Sequence, residues 1–184
     1  MSTTAMNADT ILRFWFEECT PEQWWTKSAD FDRMIASRFA ATLEAAGRCE
    51  LFSWRGSALG RLAEIIVLDQ FSRNVYRDTP RAFANDALAL GLSQTALALG
   101  ADQAVDTVKR PFFYMPYMHS ESLLIHDEAL KLFRQPSMED NLDFEIRHRD
   151  IIERFGHYPH RNAILGRVST NEEIEFLKTP GSSF

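Results

Sequence analysis

The chain is 184 residues long, 45% hydrophobic, and carries a formal net charge of −6. That length fits one domain, 1–184, with enough apolar residues for a sizeable core, which excludes a disordered chain. The acidic excess excludes a general nucleic-acid binder, because such proteins need a basic surface to displace counterions from phosphates.

Only four of the 20 basic residues are lysines, Lys27, Lys109, Lys131 and Lys178. Arginine suits forked, partly buried pairing with carboxylate or phosphate, although codon bias in a GC-rich genome gives the same imbalance. Cys19 and Cys49 lack CxxC or His-paired spacing, so neither a disulfide framework nor a zinc site is expected. The N-terminus is polar and acidic, without the basic-then-apolar pattern of a leader. Apolar runs such as 65–68 fall far short of the roughly 20 residues that span a bilayer. The expectation is a soluble cytoplasmic protein with no membrane partner; its oligomeric state is left open.

Helical periodicity dominates from end to end. Residues 9–19 read as a first helix with Asp9 as its N-cap, ending before Pro21. In 30–46, Phe31, Ile35, Phe39 and Leu43 recur every four residues, and Gly47 stops the helix. A third helix starts behind Ser57 and runs to about Tyr76, with Pro80 just beyond. The fourth spans about 85–99 and closes on Gly100; the fifth follows Pro116 and reaches Phe133. The sixth covers about 141–155 and stops at Gly156, and two short helices follow at about 159–165 and 171–177. Thr170 and Glu173 form a capping box for the last. No strand alternation and no hairpin turn interrupts the series, and connections are short. The expected architecture is all-α, a single-domain stack of antiparallel helix pairs, without a clean 34-residue repeat.

Polar residues on faces that should be buried mark the candidate site. Asp69, Gln70, Arg73, Asn74 and Arg77 form one stripe continuing the apolar face of Leu62 and Ile66. Emergence of the helix into solvent, with Asp69–Arg73 a weak i,i+4 pair, explains the stripe equally well. His119 and His126 interrupt the apolar face of the fifth helix. Seven residues apart, they stand about 10.5 Å along the axis and cannot chelate one ion together. Glu121 points away from His119 unless His119 sits at or before the N-cap. His148 lies within the stripe of Phe144, Ile151, Ile152 and Phe155, flanked by Arg147. A lone histidine on such a face is more often a hydrogen-bonded core residue than a ligand, but three helices share the device.

In RFGHYPHRNAILGRVST, 154–170, Tyr158 before Pro159 should be extended, and proline suits the first helical position. His160, Arg161 and Asn162 then fall in a first turn, where free backbone N–H groups favour an anion. Alternatively, Arg161 and Asn162 tie off carbonyls or carboxylates of neighbouring helices. No spacing matches a metal-ligand motif, and there is no GxSxG elbow, P-loop, GxGxxG or HExxH. No metal or cofactor is expected, and no residue is assigned a catalytic role.

Several stretches together resemble a bacterial family, domain of unknown function 924. They are LDQFSRNVYR (68–77), AFANDALAL (82–90), FFYMPYMHSE (112–121), RHRDIIERFG (147–156) and PHRNAILGRVST (159–170), with FWF (14–16) and FD (31–32). The resemblance implies a helical fold similar to tetratricopeptide repeats and no established activity. The chain departs from it at His157, where the family carries arginine, and at His126, where it carries glutamine. His119, His148 and His160 lie within the matching motifs.

Three readings follow. In the first, Asp69, Gln70, Arg73, Asn74, His119, Glu121, His148, His160, Arg161 and Asn162 line a pocket that binds, and in one version processes, a small anionic ligand. In the second, the protein is a non-enzymatic helical scaffold for a peptide or partner protein, drawing on Trp15, Trp24, Trp25 and Trp54. In the third, the polar motifs are a buried network that specifies helix packing.

Overall fold

The computed structural model describes residues 6–183, and among these every regular element is helical. Residues 1–5, part of the stretch read as lacking a leader, and residue 184 lie outside them. The chain divides into two compact units, Met1–Arg77 with Arg81–Pro116, and Asp78–Pro80 with Tyr117–Phe184. No helix is long and apolar enough to cross a membrane.

The first unit begins with α1 (Ala8–Arg13), which passes straight into a π-turn at Phe14–Glu18. Its cap is Asn7 and not Asp9: the Asn7 side chain accepts from the Thr10 N–H at 2.8 Å, which leaves Asp9 in the first turn, where the helix dipole favours it. A short helix absent from the sequence reading, α2 (Pro21–Trp25), follows a Thr20–Gln23 capping box. The four-residue spacing of Phe31, Ile35, Phe39 and Leu43 becomes the buried face of α3 (Ala29–Gly47).

The third expected helix is three pieces: α4 (Ala58–Ile66), a π-turn at Val67–Phe71, and α5 (Ser72–Val75). α6 (Asp86–Ala98) and α7 (Pro111–Met118) complete the helices that begin in this unit. The core is aromatic: Phe39 packs on Phe14 at 4.8 Å and on Phe71 at 5.1 Å between ring centres. Trp15 is buried there, whereas Trp25 is 58% exposed and stacks parallel to Phe112.

In the second unit α8 (Leu123–Phe133) and α9 (Glu139–Phe155) form an antiparallel pair joined by the turn 134–138. α9 ends at Gly156, whose φ of 73° lies in the left-handed region that a helix C-terminus uses and a side chain resists. A 3-10 turn at Pro159–Arg161 leads into α10 (Asn162–Leu165), and α11 (Asn171–Phe176) follows the Thr170–Glu173 capping box. Ile151, Ile152 and Tyr158 are the buried centre, packed by Leu123, Phe155 and Phe176. Phe144, expected on the inner face of α9, is 48% exposed, and Glu145 takes the interior position instead.

Candidate functional site

The ten candidate residues fall four in the first unit and six in the second. In the first unit the π-turn carries Asp69 and Gln70 and α5 carries Arg73 and Asn74. Arg73 donates to both Asp86 carboxylate oxygens at 2.9 and 3.0 Å and to the Asp69 carbonyl oxygen at 2.9 Å. Gln70 donates to the Asp69 carboxylate at 2.6 Å, and Asn74 donates to Asp32 at 2.8 Å. Arg77 meets the same Asp32 through a forked pair at 2.5 and 2.8 Å. Asp69 and Gln70 are buried, and Arg73, Asn74 and Arg77 are half-buried, so the stripe starts in the interior and only its far end approaches solvent. Each arginine is matched in geometry and charge to a carboxylate on α3, α6 or its own helix.

Of the six residues of the second unit, Glu121, His148, His160 and Arg161 contact Tyr158. The Tyr158 ring lies 5.8 Å from the His148 ring, 5.5 Å from that of His160 and 6.3 Å from that of His126. The Arg161 guanidinium sits over its face, 4.5 Å from the ring centre. Tyr158 is extended, as a residue before proline must be.

His119 and Glu121 are not helical: α7 ends at Met118 and α8 starts at Leu123, with Ser122 as extended N-cap. This break is held residue by residue. The Tyr158 hydroxyl donates to the Met118 carbonyl at 2.5 Å, Arg161 to that of His119 at 3.1 Å, and a His126 ring nitrogen to that of Ser120 at 2.8 Å. The Glu121 carboxylate accepts from the Tyr158 N–H at 3.0 Å and from Arg167 at 2.9 and 2.6 Å. Burial pulls the Glu121 pKa upward, but Arg167, the Tyr158 N–H and the nearby charge of Arg161 outweigh it and hold the pKa below the usual carboxylate value.

His148 is 5% exposed and its Nδ1 lies 2.7 Å from the Phe144 carbonyl oxygen. Since a carbonyl only accepts, Nδ1 carries the proton. Burial pushes the His148 pKa down to about 3, with the charges of His119, His126 and His160 acting in the same direction, so its ring is neutral near pH 7. His119 and His160 remain half-buried, and Arg161 and Asn162 are buried. Arg161 lies in a 3-10 turn with its N–H bonded to the Tyr158 carbonyl, so that backbone group is not free for a ligand. Asn162 donates to the Ser169 hydroxyl at 3.1 Å.

Three further residues belong to this cluster. His126, set aside as a departure from the family pattern, is fully buried with Nδ1 2.6 Å from the Glu145 carboxylate. Glu145 was readable in principle, since it stands three residues before His148 and seven before Ile152 on one helical face. His157 pairs with Glu173 at 2.5 Å; that glutamate also accepts the Thr170 N–H of the capping box, a bond that helps hold its pKa low.

Among the described residues no three His, Cys, Asp or Glu side chains are grouped to hold a metal ion. Two surface grooves lie in the first unit, one of about 500 Å³ beside Arg13, Phe16 and Lys109 and one of about 210 Å³ beside Tyr76 and Arg81; none of the ten residues lines either. Both cysteines are free, and burial raises the Cys19 thiol to about 11.

Helical pairs, paired arginines and a histidine–tyrosine cluster define an all-α protein built around two polar clusters. The chain belongs to the family described as bacterial protein of unknown function (DUF924), which it matches over residues 11–181. It is similar to the solved protein of unknown function ATU0120 from Agrobacterium tumefaciens, with 41% identity and a TM-score of 0.88, covering 93% of this chain and 96% of that one. No curated protein matches the chain at a significant level.

Proposed function

We infer that the second unit binds a small anion, such as a phosphate or carboxylate, on His119, His160 and Arg161. The observation that carries this reading is how the two guanidinium groups are used. Arg167 is taken up by the carboxylates Glu121 and Glu173. The buried Arg161 instead donates to the neutral His119 carbonyl and lies over the Tyr158 ring, with His119 and His160 half-buried nearby. Glu145 is engaged by His126, and Glu173 also by His157 and the Thr170 N–H. A cation in a partly desolvated site attracts an anion more strongly than the same charge in water. His148, neutral, contributes shape and polarity rather than charge.

A second reading fits the first unit. The bonds of Asp69, Gln70, Arg73 and Asn74 to carboxylates and backbone favour a packing network there, so these four are not assigned to the ligand.

The test is calorimetric titration of inorganic phosphate at constant ionic strength. The wild-type protein binds saturably. His160→Ala and Arg161→Lys, which removes the forked donor but keeps the charge, each weaken binding by about tenfold, the loss of one charge-assisted hydrogen bond. Wild-type heats that match a chloride control, or unchanged binding in both variants, would refute the assignment.

A further inference from the structure

The His126–Glu145 pair holds a count of protons that its surroundings fix. Nε2 of His126 faces the Ser120 carbonyl oxygen at 2.8 Å, which only accepts. Its other neighbour, the Tyr158 hydroxyl at 3.3 Å, spends its hydrogen on the Met118 carbonyl. Nε2 therefore carries a proton. Nδ1 and Glu145 Oε1 lie 2.6 Å apart, a separation that requires one proton between them. The pair is thus neutral overall, as either an acid beside an imidazole or a carboxylate beside an imidazolium.

The second Glu145 oxygen, Oε2, decides between them. It is buried in a side chain with 0% exposure and accepts no hydrogen bond. An ionised carboxylate there would leave an oxygen bearing half the charge bare in a low-dielectric interior, which is expensive. A carboxylic acid leaves only a carbonyl oxygen bare. The charge of Arg149 reaches Glu145, but that guanidinium is engaged by Asp127 and Glu153. The neighbouring titratable rings are those of His148 and Tyr158.

We propose that Glu145 is a buried carboxylic acid donating its proton to His126 Nδ1, and that this neutral pair is a positioning element for the anion site. Its action runs through the Ser120 carbonyl: with Nδ1 occupied as an acceptor, the imidazole is locked in the tautomer whose Nε2–H holds that carbonyl. Tyr158 and Arg161 hold the carbonyls of Met118 and His119 on either side of the His119 side chain. Burial acts in the same sense, pushing the Glu145 pKa above its usual value against the pull of His126. The positioning half of the proposal rests on the anion reading above; the protonation half does not.

The full-length protein tests both. Isotope-edited infrared spectroscopy at pH 7 shows a protonated carboxyl band that disappears in Glu145→Gln. Nitrogen NMR of the wild type shows His126 with a protonated Nε2 and a bare Nδ1. A carboxylate at Glu145 together with protons on both His126 nitrogens would overturn the protonation state. For positioning, Glu145→Gln still offers an N–H to Nδ1 and retains phosphate affinity within about twofold, whereas Glu145→Leu loses about tenfold. Equal affinities in the two variants would overturn the positioning role. Absence of phosphate binding by the wild type would overturn the anion reading and the positioning role, while the two spectra would still decide the proton.

Discussion

The polar clusters of the two units solve the same problem with a different balance of partners. In the first, arginines meet carboxylates: Arg73 on Asp86 and Arg77 on Asp32, each through a forked pair. In the second, imidazoles, a phenol and a guanidinium are directed largely at backbone carbonyls, and the helices break where those carbonyls are exposed. Charge matched to charge leaves little for a ligand to improve. A buried guanidinium spent on a neutral carbonyl, as Arg161 is, leaves an electrostatic role open. The contrast is why the anion reading attaches to the second unit alone.

The largest effect that tests this contrast is expected in the first unit. Arg73→Ala leaves the buried Asp69 and the mostly buried Asp86 without their cation, and is expected to cost about 3–5 kcal/mol of unfolding free energy in urea. A loss below about 1 kcal/mol would remove the packing-network reading of that unit.

Next comes the acid response of the second unit. The His148 pKa falls from 6.5 to about 3 on folding, so the unfolded chain takes up that proton first as pH drops. Its contribution is intact above pH 6.5 and is lost as pH falls from 6.5 toward 3, with a limiting slope of about 1.4 kcal/mol per pH unit. Glu121 and Glu173, held below their ordinary value of 4.5, add an acid loss that starts lower. His148→Gln therefore flattens the stability profile between pH 6.5 and 5 and leaves the steeper fall below it. An unchanged profile in that upper window would assign the slope elsewhere. The smallest effect is at the capping box: Thr170→Ala is expected to cost about 1 kcal/mol, measured by the same unfolding curves.

Much of the fold was legible because helix signals are local. The Phe31–Leu43 spacing, the stop at Gly156 and the Thr170–Glu173 box each depend on a few adjacent residues, and each appears where expected. The two π-turns were not legible, since they add a residue to a turn without any residue type that announces it. The break at 119–122 was hidden for another reason: it is stabilised by side chains from 126, 158, 161 and 167, which no local window contains. The sequence put His119 and Glu121 on opposite faces only if both are helical and left open that His119 precedes the N-cap. With Ser122 as the N-cap, both precede the helix, and Arg161 binds the His119 carbonyl while Arg167 clamps Glu121. The short α2 helix is a different case, because the Thr20-Pro-Glu-Gln sequence carried its capping box in plain view.

The most direct test of the central claim follows the five histidine ring resonances during a phosphate titration at constant ionic strength. The account predicts that His119 and His160 shift saturably with one affinity, while the buried His126 and His148 and the Glu173-bound His157 move little. Phosphate-dependent shifts confined to His157, or none that saturate, would contradict it.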